Sequence, residues 1–166
     1  TRIDKISLIN FKNHLNTNLK DLGSFVVLNG NNGSGKTNIL EAISLFSPGR
    51  GIKNSRFVEM PNKDRDQKNF EIKVNVKYDT GEVELFRSFS SVEKNKNYIS
   101  VDNEKITNFQ LLEFINILWI TPIMEKVLIQ SNSEKRNFFD RLIFNINKTH
   151  LKNYTKLKKL LSERLA

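Results

Sequence analysis

The chain has 166 residues, 38% of them apolar and 12 of them Phe, enough for one folded domain with a sizeable core. It has no Cys, which excludes a disulfide framework and a Cys zinc site. Its longest apolar runs, such as Ile117 to Ile120, fall far short of the roughly 20 residues that cross a bilayer. No charged-then-apolar signal segment opens the chain, so the expected location is cytoplasmic, with no membrane partner.

The formal net charge of +9 points towards polyanionic partners, because clustered Lys and Arg release counterions from phosphate backbones. The plainer reading competes with it: in a chain rich in Lys, Asn and Ile, much of that charge is ordinary solvated surface.

In chain order, Ile3 to Phe11 alternates apolar and polar residues as a half-buried strand does, and a second extended piece follows at Leu15 to Leu19. Phe25 to Asn29 (FVVLN) is a short apolar run entering a Gly-rich turn, the pattern of a strand buried on both faces. Thr37 to Phe46 then places Ile39, Leu40, Ile43 and Phe46 on one helical stripe, ended by Ser47-Pro48-Gly49. Arg50 to Gln67 is basic and poorly periodic, and reads as a loop.

Phe70 to Tyr78, Glu82 to Phe89 and Asn97 to Val101 follow as three strands joined by short polar turns, which suggests an antiparallel sheet. A helix is expected over Asn108 to Asn116 and a strand over Ile117 to Thr121, stopped by Pro122. Ser133 is placed to cap a helix over Glu134 to Ile146 with Phe138, Phe139, Leu142, Ile143 and Ile146 on one face. The last segment, from His150, repeats the pattern at Leu151, Tyr154, Leu157, Leu161 and Leu165.

The chemistry lies in Gly30-Asn31-Asn32-Gly33-Ser34-Gly35-Lys36-Thr37, which fits G-x-x-x-x-G-K-[ST] at every required position. In such a loop, Gly residues let successive N–H groups turn inward towards phosphates, and the following helix adds the positive end of its dipole. Lys36 supplies charge to the outer phosphates, and the Thr37 hydroxyl is the candidate ligand to Mg²⁺. Context agrees, with an expected strand before the loop and a helix after it. Hydrolysis needs an acidic residue at the end of an apolar strand as well. Asp79, Asp102 and Asp140 are the available candidates, and none stands in that setting.

With Asn10-Phe11-Lys12-Asn13, the loop, and Thr37 to Ile43 in view, the chain resembles the RecF family, ATP-dependent mediators of DNA repair and recombination related to SMC and ABC ATPases. Ser47-Pro48-Gly49-Arg50-Gly51 looks like that family's Gly-Arg turn. Thr121-Pro122-Ile123-Met124-Glu125 through Lys135-Arg136-Asn137-Phe138-Phe139-Asp140-Arg141 looks like its R-R-x-F-L-D-R stretch. The resemblance covers essentially the whole chain.

It implies an α/β P-loop NTPase fold: the N-terminal lobe of an ABC-type ATPase head over residues 1–149, with a flanking antiparallel sheet and C-terminal helices. Residues 150–166 would begin a helical arm. It also implies ATP and Mg²⁺ as cofactors, bound by Gly30, Asn31, Asn32, Gly33, Ser34, Gly35, Lys36 and Thr37, with Lys12 and Asn13 near the base or α-phosphate. Implied partners are DNA, single-stranded or gapped duplex, a second copy in an ATP-bound homodimer, and the RecR and RecO proteins that help load recombinase, with a role in the SOS response.

Arg50, Lys53 and Arg56 would face nucleic acid, or form a solvated charged loop. Lys135 and Arg136 are explained equally well as the exposed face of a helix. The signature sequence and acidic pair of the family are absent, so a complete hydrolytic site is not expected here. No Gln follows the strand expected to end at Thr121, which leaves Glu125 or Thr121 as alternatives. A small P-loop kinase and a binding module without turnover are the competing classes. Kinases of that kind usually open on the P-loop strand, whereas 29 residues precede this loop.

Overall fold

The computed structural model describes residues 1–66, 68–93, 95–122, 124, 129 and 131–164, without the side chains of helical residues 134, 137, 141, 145, 148, 151 and 158. The chain divides into two compact units, Thr1–Asn108 and Phe109–Ala166.

The first unit is built on a six-stranded antiparallel sheet. Its strands are β1 (Arg2–Phe11), β2 (His14–Leu19), β3 (Asn69–Tyr78), β4 (Gly81–Ser90), β5 (Lys96–Val101) and β6 (Glu104–Lys105), in the order β2-β1-β3-β4-β5-β6. The period-2 pattern fixes its register: Ile6 lies opposite Val74, Leu8 opposite Ile72, and Leu85 opposite both Val74 and Val101. Ile6, Leu8, Phe70, Ile72, Val74, Val76, Leu85, Phe89, Ile99 and Val101 are all buried. A slip of one residue would turn this whole set to water.

One helix, α1 (Lys36–Ser44), follows the Gly-rich loop. It buries Ile39 and Ala42, and Leu45 and Phe46 just past its end are also buried, whereas Leu40 is 48% exposed and Ile43 half-buried. The inward face is therefore rotated from the expected Ile39-Leu40-Ile43-Phe46 stripe, and it carries the polar Glu41 and Ser44 inside as well.

Two further expectations change. Phe25 to Asn29 forms no strand, and Phe25 and Val27 are 86% and 72% exposed. A strand needs a neighbour for its N–H and C=O groups, and none of the described strands pairs with this run. The segment after Arg50 is more ordered than its composition suggests. It makes a 3₁₀ turn at Phe57–Glu59 and lies along the end of β1, where Lys12 N donates to Met60 O at 2.7 Å and Asn62 N to Asn10 O at 2.9 Å. Phe57 anchors it by stacking on Phe70 and Phe89, with ring centroids 6.4 and 6.2 Å away.

In the second unit, the expected helix over 108–116 is a single 3₁₀ turn at Gln110–Glu113, and 117–121 is irregular, with Leu118 and Ile120 exposed. Helix α2 runs Asn132–Ile146 and α3 Lys148–Arg164. Because α2 starts at Asn132, Ser133 sits in its first turn and is not its cap. Asn147 caps α3, its Oδ1 accepting from Thr149 N at 3.0 Å.

The face expected to be buried on α2 is largely open: Phe139, Ile143 and Ile146 are exposed, and burial falls on Asp140 and Phe144. Phe144 packs with Leu112 and Tyr154, and His150 Nε2 lies 2.8 Å from Asp140 Oδ1. Leu157 and Leu161 of α3 are exposed, and Leu165 lies outside the described residues.

Candidate nucleotide-binding site

The phosphate-binding loop is shaped by backbone that only Gly adopts easily. Gly33 and Gly35 have φ of 84° and 95°, and Gly35 is the residue on which α1 starts. Gly35 also has no room for a side chain, because a Cβ there would stand 2.5 Å from His14 Nε2 and 2.6 Å from Asn13 Oδ1. The turn between β1 and β2 thus packs directly on the loop, with Lys12 at a positive φ of 52°.

Three side chains from this turn and α1 hold the loop. His14, 8% exposed, has Nε2 3.2 Å from Gly35 O and Nδ1 2.9 Å from Thr17 Oγ1. A ring donating through Nε2 to the carbonyl and accepting the Thr17 hydroxyl at Nδ1 satisfies both contacts. Asn13 Nδ2 donates to Gly33 O at 3.1 Å, and its Oδ1 accepts from Asn38 Nδ2 at 2.8 Å. Lys36 arches back over the loop and donates to Gly30 O and Asn31 O, both at 2.7 Å. Asn31, Asn32, Ser34 and Thr37 are exposed on the loop.

Chemically this is an anion cradle: an ammonium over a Gly turn at the N-terminus of a helix. The loop fits a nucleotide triphosphate, since Gly35 is a position that a Cβ would fill and Lys36 is anchored at its mouth. For Mg²⁺ the protein offers the Thr37 hydroxyl. Among the described residues no group of three or more His, Cys, Asp or Glu could hold a metal. A single hydroxyl suits an ion held mainly by phosphates and water.

The other nominated residues divide. Lys12 turns away from the loop, donating to Glu59 O at 3.2 Å and lying 3.7 Å from Glu41. Lys53 is 3.1 Å from Glu41, and Arg56 pairs with Glu59 at 2.7 Å. That hydrogen bond from Arg56 is the chief cause holding the Glu59 carboxyl below its usual range. Lys53 and Arg56 of the basic loop are therefore neutralised internally, whereas Arg50, Lys63 and Arg65 are exposed without such an ion pair among the described residues.

Asp102 serves a turn, accepting from Glu84 N at 2.8 Å, and Asp140 is committed to His150. Arg136 is exposed and Lys135 half-buried, while Ile123 and Glu125 lie outside the described residues. His14 and Asn38, which brace the loop, are the residues that the sequence reading missed, as it missed Glu41, which lies behind them against Lys12 and Lys53. The only signals were a His directly after Asn13 and a carboxylate inside an apolar helical stripe.

The loop, its helix and the flanking antiparallel sheet define a P-loop nucleotide-triphosphatase lobe of the ABC type. The chain belongs to the AAA domain family, which matches residues 5–165. It is 34% identical over 162 residues to the DNA replication and repair protein RecF of Rickettsia prowazekii (strain Madrid E), covering 98% of this chain and 44% of that protein.

Among solved structures, it matches the recombination mediator protein RecF-ATP in the RecFOR pathway with a TM-score of 0.85 at 25% identity, over 98% of this chain and 43% of that one. An SMC ATPase structure matches with a TM-score of 0.62 at 22% identity, over 86% and 99% of the two chains, which supports the shared fold. The resemblance to RecF therefore holds, and the chain spans less than half the length of the RecF relatives it matches. Among the described residues no helix is long and apolar enough to cross a membrane.

Proposed function

We propose that this chain is an ATP-binding portion of a RecF-type DNA replication and repair protein, holding Mg²⁺-ATP on Gly30 to Thr37. The observation that carries the reading is the fit of Gly35 against Asn13 and His14, which braces the loop's turn with Lys36 at its mouth. The likeness to RecF structures, one of them RecF-ATP, supports ATP as the ligand.

In this reading, ATP is the switch and DNA, single-stranded or gapped duplex, is the partner. The intact protein dimerises around ATP in the cytoplasm and acts with RecR and RecO to load recombinase at gaps during recombination and the SOS response. Residues 150–166 begin the arm that follows the head lobe at 1–149. Turnover by this chain is slow or nil in this reading, because the signature sequence and acidic pair that the family resemblance implies are missing from it.

The test is calorimetry with Mg²⁺-ATP and Mg²⁺-GTP, beside a Lys36→Ala variant, with and without a gapped duplex. Binding of ATP that the variant loses, and that DNA alters, is the expected result. Absence of nucleotide binding by the folded chain overturns the reading. Rapid turnover with a small acceptor overturns it in favour of a kinase.

A further inference from the structure

Glu41 lies on the buried face of α1 and is 0% exposed, yet neither of its carboxylate oxygens accepts a hydrogen bond among the described residues. A buried carboxylate without aligned donors is unfavourable and calls for a reason. What surrounds it is charge: Lys53 Nζ at 3.1 Å from one oxygen and Lys12 Nζ at 3.7 Å from the other. These two lysines come from different elements, Lys12 from the turn after β1 and Lys53 from the basic loop after α1.

Each lysine has a second contact. Lys53 Nζ donates to Asn38 Oδ1 at 2.7 Å, Asn38 Nδ2 donates to Asn13 Oδ1 at 2.8 Å, and Asn13 Nδ2 donates to Gly33 O at 3.1 Å. Lys12 Nζ donates to Glu59 O, at the end of the 3₁₀ turn in the basic loop. A continuous polar chain thus runs from the carbonyl of Gly33 in the phosphate loop to both ends of the Lys53–Glu59 segment, with Glu41 as its one anion. The basic loop is also pinned sterically, since Gly51 packs against α1 where a Cβ would stand 2.6 Å from Ser44 Oγ.

Resting on the nucleotide reading above, we propose that Glu41 is a positioning residue that couples the phosphate loop to the Arg50–Arg56 loop. Phosphate arriving beside Gly33 and Lys36 draws on Asn13 and on the lysine charge, and Glu41 sets how much of that charge stays with the basic loop. The loop that carries Arg50 then changes its exposure with nucleotide. Neutralising Glu41 leaves Lys12 and Lys53 beside each other with no counter-charge, and the two loops become independent.

Trypsin reads this directly, because it cleaves after Arg50 and Arg56, which all the variants keep. In the unsubstituted chain, saturating Mg²⁺-ATP is expected to change the cleavage rate at these sites severalfold. In Glu41→Gln, cleavage without nucleotide is faster by about tenfold, as removal of a loop's ionic anchor predicts. It then no longer responds to ATP, although calorimetry still detects ATP binding. Glu41→Asp restores the response in part, which a merely structural defect would not allow.

Lys53→Gln, at a side chain 40% exposed, tests the same link without disturbing the core and decides the matter if Glu41→Gln does not fold. The proposal is overturned if ATP binds and cleavage of the unsubstituted chain does not change, or if Lys53→Gln responds as the unsubstituted chain does. Failure of the unsubstituted chain to bind ATP at all overturns the nucleotide reading and the coupling with it, and the calorimetry distinguishes that case.

Discussion

Replacing Gly35 by Ala and, separately, Gly33 by Ala separates two contributions to the phosphate loop. Both residues have positive φ, 95° and 84°, so each Ala carries a backbone strain of about 1–2 kcal/mol. At Gly33 nothing lies within 4 Å of the added methyl, and strain is the whole effect. At Gly35 the methyl would meet His14 Nε2 at 2.5 Å and Asn13 Nδ2 at 2.8 Å, so both side chains have to leave. Their departure breaks the His14 contact to Gly35 O and the Asn13 bond to Gly33 O, each contributing about 1 kcal/mol. Gly35→Ala should therefore be less stable than Gly33→Ala by about 2–3 kcal/mol in urea denaturation. Two variants that differ by less than about 0.5 kcal/mol would show that the turn of Asn13 and His14 does not brace the loop.

Arg87 is 1% exposed on β4, with Nη2 donating to Asn108 Oδ1 at 2.5 Å and its guanidinium 5.5 Å from the Phe57 ring centre. Nε has no hydrogen-bond partner among the described residues, and burial pushes the group down to about 10. Arg87→Met, which keeps the volume and removes the buried charge, should be neutral or more stable by about 1–3 kcal/mol, whereas Arg87→Ala should lose about 2–4 kcal/mol to a cavity. A Met variant as unstable as the Ala variant sinks this account. Because the folded value lies below the unfolded one, stability gained by deprotonation appears only as pH rises past about 10. The Met-to-Arg difference should stay flat between about pH 6 and 9 in the same assay. Phe25→Ser and Val27→Thr, at side chains 86% and 72% exposed, should each shift the urea transition of this chain by less than about 0.5 kcal/mol; a loss of 2 kcal/mol would mean that the run is buried in solution.

The residues that read well from sequence are those whose partners are close in the chain or repeat the same period. Alternation in Phe70 to Tyr78 and Glu82 to Phe89 suffices, because the two strands pair with each other through a short turn and bury the same parity. The phosphate loop reads well because Gly positions and a Lys at fixed spacing describe a local backbone. The misreadings share another cause. Phe25 to Asn29 and Ile117 to Thr121 have the composition of core strands, but a strand needs a neighbouring strand to pair with, and none of the described strands pairs with either run. Composition reports that a segment can be buried, and pairing decides whether it is.

The same distinction explains the charged residues. Lys12, Lys53 and Arg56 read as a basic surface because a sequence displays each charge and not its counter-charge. In the fold, Glu41 and Glu59 take up all three, and Glu41 does so from a helical position that periodicity assigns to the core. A net charge of +9 is therefore a poor guide to where a polyanion would dock. Near the loop it leaves Arg50 exposed and, among the described residues, without such a pair, while the tied lysines sit between the phosphate cradle and the segment that carries it. On the coupling proposed above, a buried anion shared by two lysines would make the charge presented by that segment depend on nucleotide, which a permanently exposed basic patch would not.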